Sequence, residues 1–178
     1  MPASYTISKL IPEEELAAGI KRVAARINED YKDREVHLIC VLKGGVYFMT
    51  ELSKYLDMKV SVDFMSVSSY GSAMVSSGVV KIIKDLDEPI EGKDVIVVED
   101  IIDTGHTLAY LLDLLKDRKP KSLRLCTMLD KPDRRESEVK VDYTAFTIPD
   151  KFVLGFGLDF DQYYRNLPYI GVVEFNDK

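Results

Sequence analysis

The sequence predicts an α/β fold: a doubly wound, mostly parallel sheet flanked by helices, followed by a β-rich C-terminal segment. Short apolar runs without alternation are typical of strands buried on both faces. These runs alternate along the chain with apolar residues at helical spacing, a pattern that connects parallel strands through right-handed crossovers. The 178 residues correspond to about one domain, so we interpret residues 1–178 as a single domain.

The first predicted helix begins at Pro12, because proline fits the first helical turn and the acidic residues after it favour the positive end of the helix dipole. Apolar residues then recur at helical spacing: Leu16, Ile20, Val23, Ala24, Ile27 and Tyr31. His37–Leu42 is apolar without alternation, which predicts a buried strand. The next helical stripe consists of Phe48, Met49, Leu52, Tyr55 and Leu56.

The following strand is predicted by the alternation of Val60, Val62 and Phe64 with polar residues. Ser66–Gly78 is rich in serine and glycine, which predicts a long loop. The remaining predicted elements are a strand at Val79–Ile83, a buried strand at Asp94–Glu99, a helix bearing Leu108, Leu111, Leu112 and Leu115, a strand at Leu123–Leu129, and β-rich sequence from about Arg134.

The charge balance bounds the possible partners. Lys plus Arg number 24 and Asp plus Glu number 30, so the formal net charge is −6. This charge argues against binding to nucleic acid or to an anionic membrane surface, since both require a cationic face. The longest apolar runs are far shorter than a membrane span. Cys40 and Cys126 lie in apolar runs, which predicts buried thiols in a reducing compartment, and we therefore expect a cytoplasmic protein.

The loop after Val98 carries the residues best suited to bind a ligand, because doubly wound sheets bind ligands beyond the carboxyl ends of their strands. Thr104, Gly105 and Thr107 lead into a helix, and such an N-terminus with small residues cradles phosphate. The adjacent carboxylates Glu99 and Asp100 suit sugar hydroxyls or a magnesium ion. A ribose phosphate is the ligand that fits both features, although ordinary helix capping explains the same residue types.

The stretch Val97–Leu108, which reads VVEDIIDTGHTL, closely resembles the phosphoribosyl-pyrophosphate motif of the type I phosphoribosyltransferases. Other segments are similar, in the same order, to those of the bacterial hypoxanthine-guanine branch of that family. They are the pyrophosphate loop at residues 42–45, the mobile catalytic loop at 68–71, and the base-binding and hood segments at 129–132, 151–153 and 157–168. The resemblance covers essentially the whole chain.

The resemblance implies purine salvage: transfer of the 5-phosphoribosyl group from phosphoribosyl pyrophosphate to hypoxanthine or guanine, with release of pyrophosphate. It implies that Asp103 is the general base or acid facing the purine imidazole ring. Magnesium is the implied cofactor, held by Glu99, Asp100 and Asp159. The implied substrate-binding residues are Lys43, Gly44, Ser69, Tyr70, Glu99, Asp100, Asp103, Thr104, Gly105, His106, Thr107, Lys131, Phe152, Val153, Asp159 and Arg165.

Within that set, the resemblance implies that Lys131 donates to the oxygen at position 6 of the purine and that Phe152 stacks on the base. Lys43 and Arg165 are implied to contact pyrophosphate. The backbone amides at residues 104–107 are implied to hold the 5′-phosphate, so that the His106 side chain faces solvent. The family also implies assembly as a homodimer or homotetramer. Within one chain it implies a core domain at about residues 13–132. A small hood is built mainly from residues 133–178 with the N-terminal residues.

Two alternative functions stay open from the sequence. The first is a 6-oxopurine phosphoribosyltransferase that prefers guanine or xanthine, because Lys131 and Phe152 suit any 6-oxopurine. The second is a regulator that senses phosphoribosyl pyrophosphate and binds nucleic acid. A regulator of this kind needs a basic surface, yet the adjacent Arg134 and Arg135 lie among acidic residues.

Overall fold

The computed structural model describes residues 5–69 and 80–175. Two β-sheets and three α-helices make up this part of the chain. In chain order the elements are β1 (Tyr5–Ile11), α1 (Glu13–Asp30), β2 (Val36–Val41), α2 (Gly45–Ser53), β3 (Val60–Ser69), β4 (Val80–Lys84), β5 (Asp94–Ile102), α3 (His106–Lys116), β6 (Ser122–Asp130), a 3-10 turn (Pro132–Arg134), β7 (Tyr143–Thr147), β8 (Val153–Leu154) and β9 (Ile170–Phe175).

The central sheet has six strands in the order β4-β3-β2-β5-β6-β7. Its strands are parallel except for β4, which pairs antiparallel with β3. The predicted doubly wound, mostly parallel sheet is therefore confirmed. The second sheet is antiparallel, in the order β1-β9-β8, and we call it the hood sheet. Of the segment 133–178 that the sequence assigns mainly to the hood, β7 lies in the central sheet.

The central strands are buried on both faces, as their unbroken apolar runs predict. In β2, Leu38 and Cys40 join a core shared with α1 and α2, whereas Ile39 and Val41 join a core shared with α3. Successive strand residues point to opposite faces of a sheet, so an unalternating run is what two-sided coverage requires. Cys40 and Cys126 are free and buried, as predicted.

The amino-terminal edge of the central sheet is joined by polar contacts. Asp94 opens β5 and is buried. Its carboxylate accepts hydrogen bonds from Arg34 Nε at 3.0 Å, just before β2, and from Ser122 Oγ at 2.6 Å, at the start of β6. Lys121 Nζ lies 3.5 Å away. One carboxylate therefore ties together the beginnings of three neighbouring strands.

Several predicted boundaries were wrong. The strand expected at Asp94–Glu99 continues to Ile102, because Glu99 to Ile102 extend the ladder with β6. Likewise Ser66 to Ser69, expected in a loop, belong to β3 because they pair with β4; the rest of that expected loop lies outside the described residues. Helix α2 ends at Ser53, before Tyr55, where tight-turn bonds such as Tyr55 N to Leu52 O replace the helical pattern.

Within the described residues, no helix has the length and apolar character needed to cross a bilayer.

The alternation of apolar and polar residues in β3 predicted the strand correctly, but it did not predict which face of the strand is buried. Val62 is 51% exposed and Asp63 is 3% exposed. The Asp63 carboxylate accepts backbone hydrogen bonds from Phe64, Asp87 and Glu88, which satisfies a buried charge that the alternation could not reveal.

Candidate active site

The predicted phosphate loop lies at the carboxyl end of β5, where residues 103–105 connect it to α3. Gly105 caps the helix with φ of 86°, a left-handed conformation that favours glycine. A Cβ at Gly105 would also lie 3.0 Å from Arg135 Cδ. The first amides of a helix have no intrahelical acceptor, so the start of α3 is suited to bind an anion.

A cavity of about 280 Å³ opens at this loop. Five of the predicted site residues line it: Glu99, Asp103, Thr104, Gly105 and Thr107. The remaining lining is apolar and comes from the ends of β2, β3 and β5 and from α3. The cavity therefore joins a helix N-terminus to acidic side chains at one sheet edge, the combination expected for a phosphorylated sugar.

Glu99 and Asp100 are neighbouring carboxylates at the end of β5. Burial, and after it the charge of Asp100, raises the pKa of Glu99 well above its usual range. Burial likewise raises the pKa of Asp100, although Asp100 Oδ1 accepts a hydrogen bond from the Ile101 amide at 2.7 Å. The raised pKa values mark two negative charges that their surroundings compensate only in part.

This pair fits magnesium, because Mg²⁺ binds oxygen and is usually held by one or two carboxylates together with substrate phosphates. The described residues contain no cluster of three or more metal-ligating side chains. The third predicted ligand, Asp159, instead forms an ion pair with Arg165 at 2.7 Å and accepts a hydrogen bond from the Gln162 amide at 2.9 Å. The structure thus does not bring Asp159 together with Glu99 and Asp100.

The predicted pyrophosphate loop follows β2, and its Leu42–Lys43 peptide bond is cis. Gly44 faces the acidic pair: a Cβ on Gly44 would lie 1.5 Å from Asp100 Oδ2. On the other side, a Cβ on Gly157 would lie 2.1 Å from the Gly44 carbonyl oxygen. The loop is therefore enclosed between β5 and the segment that contains Gly157.

Lys43 and Arg165, the predicted pyrophosphate contacts, lie on this same wall. Lys43 Nζ donates to Gln162 Oε1 at 3.2 Å. Arg165 Nη1 donates to the Gly157 carbonyl at 2.6 Å, next to the contact with Gly44. Two segments more than a hundred residues apart in sequence thus place two cations near one loop.

The predicted base side contains Asp103 and Lys131. Asp103 Oδ1 accepts a hydrogen bond from Arg134 Nε at 3.2 Å. Lys131 is buried, and its ammonium lies 3.7 Å from Asp150 Oδ1. Arg134 and Asp150 were missed as site residues by sequence reasoning. The adjacent arginines after Lys131 were the one signal in the sequence, but they suggested only a basic pair.

Phe152 is the predicted stacking residue, and it is 51% exposed. It meets Phe160 edge to face at 5.6 Å between centroids, and Phe160 in turn meets Tyr5 at 5.2 Å. Val153 is buried in β8, paired with Val172 of β9. Phe160 and Tyr5 were also missed; the density of aromatic residues at 160–164 was a signal for Phe160 but not for Tyr5.

Three predicted residues remain: His106, Ser69 and Tyr70. The His106 ring contacts Glu136 Oε2 at 2.7 Å through Nε2 and Ser137 Oγ at 2.6 Å through Nδ1, and these contacts are exposed. Ser69 ends β3. The Ser69 side chain and Tyr70 lie outside the described residues.

The fold and the site together define an α/β protein whose strands present, at their carboxyl ends, a site suited to a phosphorylated ligand. The family model of the phosphoribosyl transferase domain matches residues 8–161. The chain is 50% identical over 165 residues to the hypoxanthine-guanine phosphoribosyltransferase of Bacillus subtilis, covering 93% of this chain and 92% of that one. It is 49% identical over 176 residues to the hypoxanthine phosphoribosyltransferase of Escherichia coli, covering 98% and 99%.

A solved structure of a hypoxanthine-guanine phosphoribosyltransferase from Bacillus anthracis superposes with a TM-score of 0.90. It is 46% identical, and the match covers 94% of this chain and 98% of that chain. The chain therefore belongs to the phosphoribosyl transferase domain family, and the resemblance inferred from the motifs is confirmed.

Proposed function

We propose that the chain is a purine salvage enzyme that transfers the 5-phosphoribosyl group from phosphoribosyl pyrophosphate to hypoxanthine, and to guanine. The products are IMP or GMP and pyrophosphate. The observation that carries the proposal is the shared cavity, in which the start of α3, Asp103 and Glu99 of β5 face one space. The names of the relatives support the same activity.

In this reaction a bond forms between a purine nitrogen and the anomeric carbon while the bond from that carbon to pyrophosphate breaks. The backbone at residues 104–107 holds the 5′-phosphate. Glu99 and Asp100 hold the ribose hydroxyls, and their charge stabilises a sugar that becomes positive in the transition state. Lys43, Gly44 and Arg165 hold the leaving pyrophosphate. Glu99 and Asp100 would hold a magnesium ion, which would supply positive charge against the leaving polyanion.

The base is selected by residues that lie after β6 and around β8. Lys131 donates to the oxygen at position 6 of the purine, whereas adenine presents an amino donor there. Phe152 offers an exposed ring for stacking, and Val153 offers backbone contacts to the base edge. Asp103 holds or accepts the proton of the imidazole ring. By the family resemblance, Ser69 and Tyr70 would serve to exclude water from the activated sugar during turnover.

The test is an assay of hypoxanthine, guanine, xanthine and adenine with phosphoribosyl pyrophosphate, with and without magnesium. We expect turnover with hypoxanthine and guanine, and loss of turnover when a chelator removes magnesium, because the leaving group then keeps its full charge. Adenine as the best substrate would contradict the role of Lys131. Turnover that survives chelation would contradict the role of magnesium.

Asp103→Asn tests the general acid-base role. Since the amide cannot take up the proton, we expect kcat to fall by at least about 100-fold with little change in the binding of phosphoribosyl pyrophosphate. Steady-state kinetics and calorimetric titration measure the two effects separately. Asp113→Asn, in an exposed acid of α3, is the control. Equal loss of binding and turnover in Asp103→Asn would assign Asp103 a structural role.

We further propose that the hood sheet and the central sheet act as one domain, and that the chain assembles as a homodimer or homotetramer through the surface near Lys43. Tyr47, on α2 beside that loop, is 40% exposed and supports such an interface. Sedimentation velocity tests the assembly.

The buried free thiols are typical of a reducing compartment, which supports a cytoplasmic location.

A further inference from the structure

Four charged side chains on the base side form a continuous chain of contacts. Arg134 Nε donates to Asp103 Oδ1 at 3.2 Å, and Arg134 Nη1 lies 3.6 Å from Asp150 Oδ2. The other oxygen of Asp150, Oδ1, lies 3.7 Å from Lys131 Nζ. Arg134 and Asp150, which we call the bridge, therefore connect the proposed proton-handling acid to the proposed lysine contact of the base.

The local backbone explains why the bridge can form. Lys131 precedes the 3-10 turn, and the Arg134 amide donates to the Lys131 carbonyl at 3.1 Å. In a 3-10 turn, side chains three residues apart lie on the same side, so Lys131 and Arg134 project together. Asp150 reaches them from the segment after β7, which is fixed by the bond from the Ile148 amide to the Asp130 carbonyl at 2.9 Å.

The buried charge of Lys131 explains why Asp150 lies beside it. The Lys131 side chain is 8% exposed, and a buried ammonium needs a nearby carboxylate. Asp150 is that carboxylate, and at half exposure it is free to serve Arg134 as well. Arg135 makes separate contacts, since its Nε donates to the Asp103 carbonyl at 3.0 Å and its other end pairs with Asp130. Arg135 thus fixes the Asp103 backbone, and Arg134 orients the carboxylate.

Under the proposed function, the two ends of this chain would face neighbouring atoms of one base. N7 and O6 of a 6-oxopurine lie on one edge of the ring system. Under the proposed function, Asp103 faces the imidazole ring and Lys131 faces O6. A base bound in register needs both groups at one fixed spacing, and small errors in the position of reacting groups reduce rates steeply.

We propose that Arg134 and Asp150 are positioning residues for base recognition, which together hold Asp103 and Lys131 at the spacing that a 6-oxopurine requires. The inference rests on the proposed function. It assigns to the bridge an effect on the base alone, because Arg134 contacts the phosphate loop through the Asp103 carboxylate, which is proposed to face the base, and not through the backbone amides proposed to hold phosphate.

The test compares Arg134→Gln, Asp150→Asn and the double variant with the wild type. We expect each single variant to lower kcat/KM for hypoxanthine about tenfold, with KM for phosphoribosyl pyrophosphate within about twofold of the wild type. The double variant should also lose about tenfold rather than about a hundredfold, because removal of either residue already breaks the bridge. A merely structural role would impair the kinetic constants for both substrates to a similar extent.

The matched control is Lys59→Gln with Glu35→Gln, which removes an exposed ion pair of 3.0 Å far from the site and should leave the kinetics unchanged. Single variants with wild-type kcat/KM, a double variant with multiplied losses, or equal losses for both substrates would each overturn the inference. If the wild type itself does not use hypoxanthine, the proposed function fails; an active wild type with unaffected bridge variants refutes the bridge alone.

Discussion

Gly44 and Asp100 share a space that admits one side chain. A Cβ at Gly44 would lie 1.5 Å from Asp100 Oδ2 and 2.6 Å from Cγ, so the acid lies directly against the backbone of the loop. Glycine is the residue that allows such a close approach. The contact places the proposed magnesium acid beside the proposed pyrophosphate loop, and the absence of a side chain at residue 44 is part of the site's geometry.

Gly44→Ala should displace the Asp100 carboxylate, because the added methyl group would overlap Asp100 Oδ2 and a packed site accommodates extra volume only by shifting. We expect kcat/KM for phosphoribosyl pyrophosphate to fall by at least about 100-fold, measured by steady-state kinetics at saturating hypoxanthine. Thr50→Ala, on the exposed face of the same helix, is the matched control. Wild-type kinetics in Gly44→Ala would show that the position of Asp100 is unimportant.

The sequence motifs predicted the residues that act close together in the chain. Glu99, Asp103 and Thr104 fall within one strand-loop-helix connection, so their proximity follows from local structure. Arg134 and Asp150 could not be recognised in this way, because their roles depend on contacts between a turn and a later segment. The pairing of Asp159 with Arg165 was hidden for a related reason: each residue was interpreted by its own contact to ligand.

At the scale of the elements, the polar tie around Asp94 organises the amino-terminal edge of the central sheet. Burial alone would raise the pKa of Asp94, but the hydrogen bonds from Ser122 and Arg34 outweigh burial and lower it. A lowered pKa means that the folded state favours the ionised carboxylate more than the unfolded chain does. The tie therefore stabilises the fold above the unfolded pKa of about 3.9 and is lost as the pH falls through the folded pKa.

Asp94→Asn should reduce the free energy of unfolding by about 2 kcal/mol at pH 7, because the amide lacks the charge that strengthens the hydrogen bonds from Arg34 and Ser122. The difference from the wild type should narrow below about pH 4. Urea unfolding followed by circular dichroism at pH 7 and pH 3.5 measures both. Asp113→Asn, where the acid is 81% exposed, should change stability by less than about 0.5 kcal/mol. A pH-independent difference would contradict the charge-based explanation.

The apolar patterns predicted the existence of the main helices and strands but not their ends. The unbroken apolar runs of β2 and β5 indicate strands that are buried on both faces, so the positions of these strands were predictable. The extension of β5 to Ile102 depends on β6, which pairs with Glu99 and Ile101. The end of β5 therefore depends on how far its pairing with β6 continues, and this pairing exists only in the folded sheet.

At the scale of the whole molecule, the hood sheet joins the two ends of the described chain. β1 pairs antiparallel with β9, with Tyr5 opposite Phe175. The Tyr5 ring also contacts Phe160, which contacts Phe152, so the first strand supports the proposed stacking ring. Pairing between residues so far apart in sequence leaves no local pattern, which is why the sequence predicted a β-rich hood without its strand order.

The net charge of −6 predicts the behaviour of the whole molecule toward polyanions. We expect no complex with duplex DNA or with RNA in fluorescence anisotropy titrations at low salt, where electrostatic binding is strongest. Turnover of hypoxanthine by the same preparation serves as the control for native protein. Salt-dependent binding without turnover would favour the regulator that the sequence left as an alternative. The anion sites of the proposed enzyme are local: the α3 start and a few cations near Lys43.

The pairing of β1 with β9 also brings the two ends of the described chain close together. Partners across an antiparallel pair lie about 5 Å apart, so a linker of a few residues would join residue 175 to residue 5. The turn at Gly92 is exposed, and nothing lies within 4 Å of a Cβ built there, which makes it a natural place to open the chain. A circularly permuted protein with new termini at this turn would keep every strand of both sheets in its present register.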